Sequence, residues 1–195
     1  DKANKRDLRL MILAARAAKI PVIVGSACTA GNDVQLARLT GIVREIAREE
    51  KLKFKLAAIH SEQDKGYLKK KLKDGKITSL ANAPKLDEAV IDRSVHIVGM
   101  SGIEPYIEAL QNGAEVIIAG RSSDTSIYSA IPVMKGFNPA TVWHAAKILE
   151  CGAACVVQRK YPDCQFVTLT DDYFIVEPPN PDYRCDPASV ASHNL

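Results

Sequence analysis

Side chains that could bind anions or transfer protons cluster after three apolar runs of the chain. The run 114–119 is followed by a glycine and then by Arg121, two serines, Asp124 and a threonine. The run 21–24 leads into a loop of small residues, Gly25–Asp33, and the run 95–98 leads into Gly99-Met-Ser-Gly102. Guanidinium groups grip carboxylates and phosphates, while carboxylates and histidines move protons. The sequence therefore predicts a ligand site where these runs end.

The loop Gly25–Gly31 precedes a helical pattern, and amides at a helix N-terminus can cradle an anion. Its spacing matches neither GxGxxG nor a phosphate-binding GxxxxGK[ST] loop. A helix terminus contributes about 0.3–2 kcal/mol, whereas micromolar binding needs about 8 kcal/mol, so a cation must assist. Arg121 is the expected partner because its guanidinium can hold an anion bidentately. The predicted anion-binding residues are Gly25, Ser26, Thr29, Gly31, Arg121, Ser122 and Ser123.

Three carboxylates, Asp33, Glu104 and Asp124, follow three different predicted strands and are the candidate catalytic residues. If they converge, one of them can act as a general base, or together they can bind Mg²⁺ or Mn²⁺ through oxygen. In the alternative interpretation, Asp33 and Asp124 cap helices and Glu104 is only a first-turn acid. Arg121 would then pair with one of the two aspartates in a structural turn.

Histidine and cysteine patterns add little to this site. His60 ends a predicted strand and could shuttle protons, whereas His96 and His144 are expected to be packing residues. The five cysteines include no CxxC pair, which favours reduced thiols in a cytoplasmic protein. Neither GxSxG nor HExxH is present, so the common hydrolase and zinc-protease motifs give no support.

Alternating helical and extended patterns predict an α/β fold with a Rossmann-like, mostly parallel sheet flanked by helices. Strands are expected at 22–24, 53–60, 95–102 and 114–119, with helices at 5–19, 63–73, 105–112, 127–134 and 141–151 and a loop with a short helix within 76–94. A further helix is expected after a cap at Asn32 or Asp33, with Leu39, Ile42, Val43 and Ile46 as its apolar stripe. A short β-hairpin is predicted from 165–170 and 173–177, followed by an irregular tail without a packing element. We expect a core domain over 1–160 and a hairpin and Pro-rich extension over 161–195.

Composition excludes two classes of partner. The chain of 195 residues has a formal net charge of +3 with 25% charged residues, which gives no basic footprint for nucleic acid. No apolar run approaches the roughly 20 residues that span a bilayer. We therefore expect a cytoplasmic protein that binds neither nucleic acid nor membrane.

Several motifs in order resemble the acyclic terpene utilisation (AtuA) family across nearly the whole chain. They are Gly25–Asp33, Ile42–Ala47, Glu104-Pro105, Gly113–Asp124, Trp143–Gly152 and Val176–Pro181. Family motif positions occupied here are Gly25, Ser26, Thr29, Gly31, Asp33, Glu104, Arg121, Ser123, Asp124, His144, Glu150, Glu177 and Asn180. Cys28 and Asn32 depart from the family, which more often has glycine there.

The resemblance implies a protein encoded among enzymes that degrade branched, citronellol- and geraniol-like terpenoids as acyl-CoA thioesters. It also implies that the family's N-terminal Gly- and Asp-containing motif is missing, so we expect a fragment or one piece of a split protein. A homo-oligomer, or a partner chain that supplies the missing segments, is expected.

Two functional hypotheses follow. The first is an enzyme domain, of lyase or hydratase type, that acts on a small branched organic acid or its acyl-CoA thioester. The second is a non-catalytic binding or assembly subunit of a catabolic complex, in which the strand-end polar residues pair with each other.

Overall fold

A computed structural model describes residues 2–194 as an α/β chain with eight α-helices and five strands among them. In the first part of the chain these are α1 (Lys2–Ala18), β1 (Val22–Val24), α2 (Asp33–Glu49), β2 (Leu56–Ile59), α3 (Lys65–Lys73), α4 (Glu88–Arg93), α5 (Glu104–Gln111) and β3 (Val116–Ala119). They are followed by α6 (Ser126–Met134), α7 (Pro139–Leu149), a 3₁₀ turn (Gly152–Cys155), β4 (Phe166–Leu169), β5 (Phe174–Glu177) and α8 (Pro187–Asn194).

The first three strands form a parallel sheet in the order β1-β3-β2. Val22 pairs with Val116 on one side of β3, and Leu56 pairs with the same Val116 on the other side. All four residues of β3 are buried, which explains its continuous apolar sequence. Because the strands are parallel, their carboxyl ends lie at one edge of the sheet.

Helices α1 and α2 pack on the sheet through apolar stripes at helical spacing. The predicted α2 stripe is confirmed, since Leu39, Ile42, Val43 and Ile46 are all buried. They share one core with Leu8, Ile12 and Ala15 of α1 and with Val22, Val116 and Ile118 of the sheet. This packing fixes the positions of the strand ends at the carboxyl edge of the sheet.

The predicted strand at 95–102 is wrong. The segment makes only isolated bridges, Glu62 to Val98 and Ser101 to Ser122. Its glycines weaken strand propensity, and Val95 is 83% exposed, so the segment contributes little apolar burial that would favour a full strand. The sheet among the described residues therefore has three strands, with β3 at its centre.

A second correction concerns the tail, which contains α8 instead of being irregular throughout. Pro187 occupies the first helical position, and Asp186 and Ser189 exchange two hydrogen bonds of 2.8 and 3.1 Å, each between a backbone N–H and the other side chain. This reciprocal cap starts the helix. The predicted hairpin is confirmed as antiparallel β4 and β5, with Phe166 paired to Glu177.

The chain divides into two compact units. The first comprises the chain up to Ser101 together with Ala109–Ser122, and it holds the parallel sheet. The second comprises Gly102–Glu108 and the chain from Ser123 onward, and it holds the hairpin. The boundary expected near residue 160 stays a prediction.

Candidate functional site

The loop after β1 has an unusual backbone. Ser26, Cys28 and Thr29 have φ angles of 50, 51 and 82°, in the left-handed region that disfavours residues with a side chain. Such residues cost of the order of 1–3 kcal/mol each and persist only where the surroundings hold them, often at functional sites. The loop conformation is therefore imposed by its contacts.

Those contacts are with the end of β3. The backbone N–H groups of Ser26 and Ala27 donate to the carbonyls of Gly120 and Ala119 at 2.9 and 3.0 Å. A Cβ added at Gly31 would lie 2.2 Å from the backbone nitrogen of Arg121, so only glycine fits. The loop and the β3 end are in direct backbone contact.

Arg121 and Ser122 are bonded to this loop. One Arg121 guanidinium N–H donates to the Thr29 carbonyl at 3.0 Å, and the Ser122 N–H donates to Ser26 Oγ at 3.3 Å. The structure thus brings together most of the residues predicted to bind an anion. They are Gly25, Ser26, Thr29, Gly31, Arg121 and Ser122.

The N-terminus of α2 already has a carboxylate of the protein beside it. Asn32 caps the helix by accepting the Gln35 N–H at 2.9 Å, and Glu62 Oε2 accepts the Asp33 N–H at 2.9 Å. That N–H, followed by the contact with His96, holds the pKa of Glu62 below its ordinary value. Glu62 therefore lies where the sequence suggested a bound anion.

Two histidine–carboxylate pairs lie at the same helix end. His60 Nδ1 is 2.9 Å from Asp33 Oδ1, and His96 Nδ1 is 2.6 Å from Glu62 Oε1. The Asp33 N–H bond to Glu62 joins the two pairs. The His60 side chain is 67% exposed, so solutes can reach its ring. A carboxylate that orients an accessible imidazole is the arrangement of a general acid–base group.

Sequence reasoning missed Glu62 and His96 as members of this cluster. His96 was expected to pack within a strand, but it lies outside the named strands and contacts a carboxylate. Glu62 stands three residues beyond β2, a position that could have marked it as a strand-end acid.

The remaining predicted site residues belong to the second unit. Glu104 is the first residue of α5, as the alternative interpretation predicted, and Ser123 Oγ lies 3.0 Å from Thr125 Oγ1. The N-cap position of α6 is Thr125, which directly follows Asp124. Of the two residues expected as possible caps of α2, Asn32 and Asp33, the structure shows Asn32 in that role.

The second unit also contains an apolar cavity of about 130 Å³. Its lining consists of Tyr128 and Pro132 of α6, Val142, Ala145, Ala146 and Leu149 of α7, and Val167 and Leu169 of β4. Burial, with a smaller contribution from the charges of Cys151, Glu150 and Asp124, raises the pKa of Tyr128. Its hydroxyl therefore stays protonated and can donate a hydrogen bond.

Over residues 2–194, no three His, Cys, Asp or Glu side chains are grouped so that they could hold a metal ion. None of the helices in this range has the length and apolar character needed to cross a bilayer.

The parallel sheet, the constrained loop and the histidine–carboxylate pairs at its carboxyl edge define an α/β protein with a polar strand-end site. Residues 2–157 match the model of a family described as acyclic terpene utilisation family protein AtuA. The chain belongs to this family. No curated protein and no solved structure matches it.

Proposed function

We propose that the chain is an enzyme domain that acts on a small branched organic acid or its acyl-CoA thioester, in the breakdown of terpenoids or related acids. The observation that carries the proposal is the accessible His60 ring held 2.9 Å from Asp33, next to the loop of Gly25–Gly31. Family membership supports the link to terpenoid utilisation.

In this proposal Arg121 attracts the carboxylate or phosphate groups of the substrate, while its bond to Thr29 positions it over the loop. Asp33 keeps His60 in the tautomer whose second nitrogen can accept a proton. His60 then takes a proton from the carbon next to the carbonyl, or returns one to it. This is the proton movement that lyase and hydratase reactions share. Asp124 and Glu104 stay as alternative candidates for the base.

Considered by itself, the second unit has an apolar cavity that can hold a hydrocarbon group. An apolar cavity of about 150 Å³ can bind a molecule the size of benzene. The cavity here, at about 130 Å³, suits a branched group of about five carbons.

The test measures exchange of the carbon-bound proton of branched acyl-CoA thioesters for deuterium in D₂O. The exchange is detected by mass spectrometry, with and without Mg²⁺ or Mn²⁺.

Arg121→Ala should raise the KM by about 10- to 100-fold, since a charge-assisted hydrogen bond contributes about 1.5–3 kcal/mol. His60→Gln should lower kcat by about 100-fold or more, as expected for a general acid–base residue. Arg93→Ala, which removes an exposed arginine from α4, is the matched control.

If deuterium exchange and thioester binding are unchanged in both Arg121→Ala and His60→Gln, the reaction does not take place at this site. Absence of binding by any thioester or acid would instead favour the assembly-subunit hypothesis.

A further inference from the structure

Two cysteines of the second unit lie in contact. Cys155 Sγ and Cys185 Sγ are 3.8 Å apart, although 30 residues separate them in the chain. Cys155 is fully buried, while Cys185 is partly exposed. A disulfide has a sulfur–sulfur distance of about 2.05 Å, so the two atoms need to approach by roughly 1.8 Å.

The backbone around both cysteines is already paired. Val156 forms an antiparallel bridge with Cys185, and the Val157 N–H donates to the Arg184 carbonyl at 2.9 Å. Tyr183 packs beside this bridge with Ala153 and Val156 in a small separate core. Oxidation therefore would join two segments that are held together before any bond forms.

Gln165 connects the two sulfur atoms. Its amide nitrogen lies 3.3 Å from Cys155 Sγ and 3.7 Å from Cys185 Sγ. An N–H donor directed at a thiol favours its thiolate form, which is the reactive one. The position of Gln165 thus suits thiol chemistry as well as packing.

We propose that Cys155 and Cys185 form a reversible disulfide when the protein meets a peroxide. The Cys185 thiolate attacks one peroxide oxygen and becomes a sulfenic acid, and the other oxygen leaves as water. The Cys155 sulfur then attacks the sulfenic sulfur and expels a second water. In sum, two thiols and one hydrogen peroxide give one disulfide and two waters, and a dithiol reductant reverses the change.

The order of attack follows from the surroundings of each thiol. Burial, followed by the nearby Cys185, raises the pKa of Cys155 to about 11, so Cys155 is a poor first nucleophile. Cys185 is the more accessible of the two and reacts first. The resulting bond would enclose β4 and β5 in one covalent loop.

The test uses the whole chain treated with hydrogen peroxide and digested without reduction. We expect a cross-linked peptide that contains Cys155 and Cys185, two hydrogen masses lighter than the separate peptides. The thermal midpoint should rise by at least about 3 °C and return after dithiothreitol. Cys185→Ser should abolish both effects, whereas Cys151→Ser and Cys164→Ser, at exposed cysteines, should leave both unchanged.

Gln165→Leu provides a second readout that keeps both thiols, and it should slow cross-linking several-fold. A dominant cross-link through Cys151 or Cys164 would overturn the proposal. The proposal would also be overturned if, in the wild-type protein after peroxide treatment, Cys185 were found as a sulfinic or sulfonic acid without a link to Cys155. This measurement needs no variant.

Discussion

At the scale of single residues, the site depends on one close backbone approach. Gly31 and Gly120 let the loop after β1 touch the end of β3, with the Gly31 carbonyl 2.7 Å from a Cβ placed on Gly120. The positions of Thr29 and Arg121 follow from this contact, because both residues are bonded across it. A side chain at either glycine would separate the two segments.

Gly31→Ala should therefore destabilise the protein much more than Gly113→Ala. Both glycines have positive φ, at 68 and 80°, so each substitution has a backbone cost of about 1–2 kcal/mol. A Cβ at Gly113 has no neighbour within 4 Å, whereas one at Gly31 meets the Arg121 backbone at 2.2 Å. We expect a loss of at least about 3 kcal/mol for Gly31→Ala in urea unfolding. Equal losses for the two variants would show that the close contact is not formed.

Glu62 should make stability depend on pH in the acidic range. Its pKa is lowered in the folded protein, by the Asp33 N–H first and then by His96. The unfolded chain therefore binds more protons, so Glu62 stabilises the fold above its unfolded pKa of about 4.5 and ceases to do so as pH falls through the folded value.

Urea unfolding between pH 3 and 7 measures this effect in Glu62→Gln. The variant should be less stable than the wild type by about 1 kcal/mol at pH 7, and the difference should vanish near pH 3. Glu177→Gln, at an exposed position of β5, is the control and should change stability little at any pH. A pH-independent loss in Glu62→Gln would mean that packing, and not charge, is responsible.

At the scale of elements, the sequence predicted most helices and both hairpin strands, because their apolar spacing is regular. Two elements were mispredicted for local reasons. The segment 95–102 has strand-like residues, but its glycines and exposed Val95 leave it without a ladder. The helix α8 has a weak apolar pattern. Its start is set by the cap between Asp186 and Ser189, a local signal that apolar spacing does not show.

The site was predictable only in part for a similar reason. Strand ends identify Ser26, Arg121 and Asp33 as neighbours, since parallel strands end at one edge. Side-chain pairing across the edge, as between His96 and Glu62, depends on the path of a loop that has no periodic pattern. Such pairs therefore cannot be predicted from apolar spacing alone and become visible only in the folded structure.

Helix α7 permits a direct test of the apolar cavity. Ala146 is buried and lines the cavity, so Ala146→Leu should fill much of its volume of about 130 Å³. Binding of a small apolar probe such as benzene, followed by NMR shifts, should weaken by at least about 10-fold. Ala140→Leu, at an exposed position of the same helix, should leave binding unchanged. Unaltered benzene binding in Ala146→Leu would place the probe elsewhere.

For the molecule as a whole, the central strand β3 supports the first unit. Ile118 is fully buried in the core that α1 and α2 share. Ile118→Val should cost about 0.5–1.5 kcal/mol and Ile118→Ala about 2–5 kcal/mol in equilibrium unfolding. Leu10→Ala, at a side chain that is 62% exposed, should change stability by less than about 0.5 kcal/mol. Comparable losses at Leu10 and Ile118 would contradict the core assignment.

The strand order also has a consequence for how the protein is made. Strands β1 and β2 each pair with β3 and not with each other, although β3 is translated more than 50 residues after β2. While a ribosome synthesises the chain, both earlier strands emerge without their hydrogen-bonding partner. They must wait for residue 119 to leave the exit tunnel, and nascent chains arrested before that point should be protease-sensitive and bind chaperones.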